Sequence, residues 1–558
     1  MKLKLLLSLF MVFCLAGCGN GTNSDGIIAD VPGEDKEVPT ISESFAYEDY
    51  NSSDFEYDTY KWYINDLVSV NLPDPYVLEQ DDVYYIYGTT DRNGGKTVDC
   101  YSTVDFNNFE EHRDVFIRDN THWSGTGYGI FAPEVMKFGD VYYMYYSAQV
   151  NSSGRRYIDV AVSDSPIGPF KPYVGVNADG IALNSHDAPV FRHNDTIDLD
   201  VLDQTIFVDG DKMYMYYSVY DTSNSQYIVG MEMKDPVTID YSTYKILIRP
   251  GEETAKQTLG NKKYFWEAFK SFEVAEGPFM IKSPNGKYYL TYSVNHYPDK
   301  YYSVCYAVAD SPLGDYTKPY TDEQVWTNLL FGYAGGMENT TVYKQWDGFM
   351  SGTGHHCFFN IGEQIMIGYH AHNNRTGNSR RYFAMDKVFF DKDGVPFCQG
   401  PSATIQYLPE SISGYKNIAV DSKVYASPNI LNAERINDNY VAEHYNLIQD
   451  ASREVTLPVG KSYIELEFDR EYTIGGIQII NSCDFNKCIK RVEYINFFNG
   501  NAIMEAYVNE EHIKVEKDFI FPDSGITFNL DDIKASKVVI CFDNSLEASI
   551  NEIIVLGY

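Results

Sequence analysis

Five ionisable residues stand in otherwise apolar or Gly/Pro surroundings. They are Asp74 in Leu-Pro-Asp-Pro, Glu134 in Phe-Ala-Pro-Glu-Val, Asp203 in Leu-Asp-Gln, Glu276 in Glu-Gly-Pro and His355 in Gly-Thr-Gly-His-His. All but His355 are carboxylates. Carboxylates gathered in one pit repel one another, so their pKa values split: one stays protonated while another stays ionised. Acid and base work at a single bond needs that split. Taken singly, each residue has an ordinary explanation. Asp before Pro is a common turn, Glu before Gly-Pro caps a bend, Asp203 holds a loop, and a lone His is a satisfied structural group. What joins them is the element that follows each one.

About ten residues after each comes a turn and a short strand, Tyr-rich in all but the last: DDVYYIYG (81–88), GDVYYMYYS (139–147), GDKMYMYYS (210–218), NGKYYLTYS (285–293) and GEQIMIGYH (362–370). With Tyr85, Tyr143, Tyr214, Tyr289 and Met366 as equivalents, the spacings are 58, 71, 75 and 77 residues. These exceed the usual propeller-blade repeat but suit four strands with long loops. Each strand alternates with period two, and Asp, Gly and Asn supply the turns. AVSDSPIGPF (161–170) and AVADSPLGDY (307–316) recur as an outer-strand signature, and no helical pattern of comparable length appears. The expectation is an all-β chain whose residues 57–412 form a five-bladed β-propeller. Its inner strands would line an axial channel and bring the five polar residues to one place. Over 416–558 aromatics thin out and β-branched residues rise, as in KSYIELEFDREYTIGGIQIINS (461–482), which predicts a β-sandwich.

The amino terminus suggests a compartment. Lys2 and Lys4 precede an apolar run from Leu5 to Ala16, too short for a stable membrane span, and then Leu-Ala-Gly-Cys ending at Cys18. Residues 1–18 read as a bacterial lipoprotein signal with lipid on Cys18, the alternative being an ordinary signal peptide. Lipid would then be the only membrane attachment, placing the protein in the cell envelope at the outer membrane or cell surface. Residues 19–56 read as a flexible tether. The formal charge is −35, or −37 once Lys2 and Lys4 leave with the signal. Such a surface repels nucleic acid and uronate-rich polymers and suits neutral substrates. Of nine Cys, Cys14 and Cys18 belong to the signal and an odd seven remain. Cys483 and Cys488 are near enough for a local disulfide, and no zinc motif is present.

Together, Leu72-Pro73-Asp74-Pro75 followed by YYIYGT, then FAPEV (131–135), LDQTIFVDGD (202–211), EGPF (276–279) and GTGHH (352–356) resemble glycoside hydrolase family 43. That is a five-bladed propeller family of inverting glycosidases acting on arabinose- or xylose-containing plant glycans. The resemblance implies Asp74 as general base, Glu276 as general acid, and Asp203 as the carboxylate that tunes and orients the acid. An inverting pair needs roughly 6.5–9.5 Å between carboxyls, to hold a water. It also implies His355 (or His356 beside it) near a metal or water cluster on the axis, commonly calcium, with a mostly water shell. Arg381 (or Arg380) would contact sugar hydroxyls or the acid. Glu134 would also contact substrate; Phe131 stands before it where many relatives carry Trp, so Trp123 or Trp266 would supply sugar stacking unless they merely anchor loops. The segment 417–440, with Ile464-Glu465-Leu466, resembles a discoidin-like, galactose-binding-type jelly roll, a module that in some proteins binds glycans and in others is structural. Two readings compete with the enzyme: a surface lipoprotein that binds glycan without catalysis, and a related propeller glycosidase acting on another sugar.

Overall fold

The structure is a computed structural model. It describes residues 57–65, 71–90, 92–127, 129–150, 154–191, 200–220, 225–252, 263–269, 273–320, 326–332, 334, 350–373, 380–441, 454–482, 487–489, 492–508 and 525–558. The signal, Cys18, the tether and Cys483 lie outside the described residues. Among the described residues no helix is long and apolar enough to cross a membrane.

Five antiparallel sheets of four strands each follow one another in chain order. Blade 1 is Tyr76–Gln80, Val83–Gly88, Thr97–Thr103 and Glu110–Ile117; blade 2 is Ile130–Phe138, Val141–Gln149, Arg156–Ser163 and Lys171–Pro172. Blade 3 is Asp200–Asp209, Lys212–Tyr220, Gln226–Asp235 and Thr238–Ile248; blade 4 is Ala275–Lys282, Tyr288–Val294, Ser303–Ala309 and Leu329–Gly332. Blade 5 is Met350–Ile361, Gln364–Asn373, Arg381–Phe390 and Pro396–Gln399. The first strands touch in the order 1-2-3-4-5 and back to 1, which closes a ring around an axis. The Tyr-rich segments are the second strands. Both their faces are buried between blades, which is why they read as near-continuous aromatic and β-branched runs. The tight turns before them use positive φ, with Asp81 at 57° and Asp82 at 61° in blade 1, and Gly at the equivalent turns of blades 2, 3 and 5. The repeated AVxDSP signature is the end of a third strand and its following turn, not an outer strand.

The short helix Glu410–Ser413, closed by Gly414 at φ 75°, follows the last blade. Beyond it two long strands, Gly460–Asn481 and Gly525–Asn544, pair along nearly their whole length but break register near 468–471. At that break the sheet folds back, so that Ile464 and Leu466 from one half share a core with Ile477 and Ile479 from the other. A sandwich results. It joins the propeller through Trp62: this buried indole donates to Asn529 Oδ1 at 2.7 Å and shares a core with Ile480, Ile554 and Leu556. The strand carrying Trp62 pairs with Ile405–Tyr407.

Candidate active site

Each inner strand enters the ring through the same kink. Asp74, Ala132, Asp203, Gly277 and His355 have φ of 56, 44, 56, 52 and 44°. In blades 2 to 5 the kink coincides with a register shift between first and second strands. This left-handed backbone costs an L-residue about 1–2 kcal/mol, so its fivefold repetition marks a constraint imposed by the ring. In blade 1 the approach is so close that a Cβ on Gly88 would lie 2.7 Å from the Pro73 carbonyl oxygen.

The kink corrects the expected equivalence of the five polar residues. Asp74, Asp203 and His355 occupy it, and Glu276 stands one residue before it. Glu134 stands two residues beyond Ala132, where the register shift in its strand ends. Its Oε2 is enclosed, its carboxyl is hydrogen-bonded to Thr205 and the Ile206 amide, and its neighbours are Tyr76 and Cys357. Burial first, and then Asp203, push it well above the usual carboxylate range. It is therefore held in the wall against blades 1, 3 and 5 rather than at the kink position of its own strand.

The remaining groups converge. Asp74 Oδ1 meets Arg381 Nη1 at 3.1 Å, and Oδ2 accepts from Thr89 Oγ1 at 2.7 Å. Burial alone would raise its pKa, but Arg381 and His355 outweigh this and hold it well below the usual range. Asp203 rises to about 7, through burial and then repulsion by Asp74. Glu276 also rises to about 7, through burial and then Asp203. His355 Nδ1 lies 3.4 Å from Asp74 Oδ1 and 3.9 Å from Asp203 Oδ2, so one imidazole edge links two blades' carboxylates. The pit thus holds one firmly ionised carboxylate and two that resist ionisation.

A hydrogen-bonded ring that sequence reasoning missed supports this arrangement. The residue four positions past Tyr85, Tyr143, Tyr289 and Met366 accepts the kink amide of the next blade: Thr89 from Ala132 (2.9 Å), Ser147 from Asp203 (3.1 Å), Ser293 from His355 (2.8 Å) and His370 Nδ1 from Asp74 (3.2 Å). The junction between blades 3 and 4 is the exception. There the Gly277 amide bonds the Asp203 carboxylate, and among the described residues Ser218 Oγ has no hydrogen-bond partner. Four residues past the five equivalent positions the sequence does read Thr, Ser, Ser, Ser and His, which is the signal that was available. Because His370 Nδ1 accepts, its proton sits on Nε2. Burial lowers its pKa to about 3, so it is neutral.

Of the paired alternatives, His355 and Arg381 face the carboxylates. His356 is buried and bonded to Thr291 Oγ1 at 2.6 Å. Arg381 contacts the Asp74 side of the pit and lies 4.7 Å over the Tyr297 ring. The Trp123 indole donates to Asp159 Oδ2 at 2.8 Å and packs edge-on to Tyr157, the pattern of a loop anchor. Trp266 is 1% exposed and bonded to Asn328, so it is a core residue that no sugar reaches. As for calcium, His355 turns Nδ1 to two carboxylates. Among the described residues no three His, Cys, Asp or Glu side chains converge as a ligand set.

The family model described as glycosyl hydrolases family 43 matches residues 63–396. An extracellular endo-alpha-(1->5)-L-arabinanase of Thermotoga petrophila is 24% identical over 288 residues, covering 47% of this chain and 53% of that one. Extracellular endo-alpha-(1->5)-L-arabinanase 2 of Bacillus subtilis is 26% identical over 237 residues, covering 40% and 44%. The chain spans about half the length of the curated relatives it matches. Among solved structures, a thermostable family-43 glycoside hydrolase superposes with a TM-score of 0.47 at 26% identity, over 62% of this chain and 98% of that one.

Proposed function

The chain belongs to glycosyl hydrolase family 43, and from that premise we propose that it hydrolyses arabinose- or xylose-containing plant glycans with inversion at the anomeric carbon. Asp74, ionised, takes a proton from the water that attacks that carbon. Glu276, protonated, gives its proton to the departing glycosidic oxygen as the C–O bond breaks. Asp203 keeps Glu276 protonated by like-charge repulsion and steadies the backbone beside it through the Gly277 amide. The observation that carries the reading is the opposite treatment of two carboxyls in one pit: Arg381 and Thr89 stabilise charge on Asp74, while burial and Asp203 disfavour it on Glu276. Arabinan is the first substrate to test, because both relatives named above are arabinanases.

A product-resolved screen on arabinan, arabinoxylan, xylan and galactan, run beside Glu276→Gln and Asp74→Asn, tests the proposal. Cleavage of one polymer by the wild type and its loss in both variants is the expected result. Full activity in Glu276→Gln would overturn the acid assignment. Gel retardation by glycan without any cleavage would replace the enzyme with a binding protein. We further propose export and lipidation at Cys18, in keeping with the extracellular relatives. Radiolabelled palmitate should enter the wild type and not Cys18→Ser.

A further inference from the structure

Glu276 Oε1 accepts a hydrogen bond from the Tyr302 hydroxyl at 2.9 Å. The Tyr302 ring lies parallel to His370, with centroids 5.5 Å and planes 12° apart. His370 in turn carries the Asp74 amide. Tyr302 is wholly buried, and Gly354 lies flat against its ring: a Cβ there would stand 2.5 Å from Tyr302 Cε1. It belongs to none of the motifs that mark the carboxylates, standing just before the third strand of blade 4. A buried hydroxyl needs a partner, and this one meets Ser293 as well as the Glu276 carboxyl.

We infer that Tyr302 is a positioning residue: it fixes the orientation of Glu276 and, through His370, the spacing between that carboxyl and Asp74. This rests on the assignment of Glu276 and Asp74 as acid and base. With Oε1 accepting from Tyr302, the acidic proton sits on Oε2 and is aimed at the glycosidic oxygen. The same bond favours the ionised form of Glu276 and so moderates the rise imposed by burial. The other groups facing Glu276 are Asp203 from blade 3, Asp74 from blade 1, His355 from blade 5 and Arg156 from blade 2, the last held bidentate by Asp200. Each comes from a different blade, and Tyr302 hydrogen-bonds the acid directly.

The test is the pH profile of kcat/KM for Tyr302→Phe and Gly354→Ala, on the arabino- or xylo-oligosaccharide that the wild type cleaves. Tyr302→Phe deletes only the hydroxyl. Gly354→Ala displaces the ring without touching a carboxylate, and it carries the test if the Phe variant does not fold. Losing this hydrogen bond should cut kcat/KM by up to about tenfold at the optimum. Because the bond favours ionised Glu276, its loss should move the basic limb to higher pH, and Gly354→Ala should give the same shift in weaker form. A purely structural role lowers activity or Tm and leaves that limb in place, so an unmoved limb in folded variants overturns the inference. Glu276→Gln runs alongside: if it stays active, the acid assignment has failed, whereas an inactive Glu276→Gln with an unmoved limb in Tyr302→Phe removes only the tether.

Discussion

Replacing Arg381 with Met should change which protonation state Asp74 holds at working pH. The guanidinium sits 3.1 Å from Asp74 Oδ1, with the two side chains 18% and 12% exposed, so water screens the pair weakly. At an effective dielectric of about 20, Coulomb attraction at that distance is about 5 kcal/mol, a ceiling near 4 pKa units. Water entering the vacated space recovers part of this, and opposite charges at such range typically shift a carboxyl by about 1–3 units. Burial already pushes Asp74 upward, and losing Arg381 removes the largest opposing influence and leaves only His355 and His370 against it. Asp74 acts ionised, so activity disappears as pH falls through its pKa, and a raised pKa moves the acidic limb of kcat/KM toward neutrality by about 1–3 units. Arg381→Lys keeps the charge without the planar fork and should give a smaller shift. Profiles for wild type and both variants on one cleaved oligosaccharide measure this directly. An acidic limb that stays in place while KM alone rises would refute the reasoning and make Arg381 a sugar-binding group only.

Other perturbations separate the site from its scaffold. Asp203 has a folded pKa of about 7, above its usual value, so its contribution to stability is full at low pH and fades as pH rises toward 7. Asp203→Asn should therefore raise Tm at about pH 8 and change it little at about pH 5, while the lost repulsion moves the basic limb of activity to lower pH. Glu267 binds Lys318 in the core and also accepts from Tyr292, Asn328 and the Gly251 amide. Glu267→Ala strands a buried ammonium and should cost about 3–5 kcal/mol in denaturant unfolding. Trp62→Ala should cost about 3–5 kcal/mol and split calorimetric unfolding into separate propeller and sandwich transitions.

The blades were legible because strands buried on both faces advertise themselves as Tyr-rich, β-branched runs with Asp or Gly at the turns. Asp74, Asp203, Glu276 and His355 were legible because a polar residue amid Pro and Gly before such a strand is unusual. The kink itself was not. A left-handed Ala132 or His355 follows from how five strands crowd one axis, and no local propensity predicts it. For that reason Glu134, two residues past the kink in its blade, looked equivalent to residues that occupy it. Tyr302 was invisible for another reason: it lies on a loop, in no repeat, and its meaning depends on Glu276 and His370, which approach it from different blades. His370 was present as the final letter of a repeat, but its work as an acceptor is done for the next blade.

The central claim is that Asp74 and Glu276 act on opposite faces of one sugar, with a water between Asp74 and the anomeric carbon. Proton NMR of the product in the first minutes of hydrolysis, before mutarotation, tests it most directly. The account predicts a first-formed sugar of the opposite anomeric configuration to the bond cleaved. A first product that retains the configuration would mean a covalent intermediate on one carboxylate, and would contradict the account.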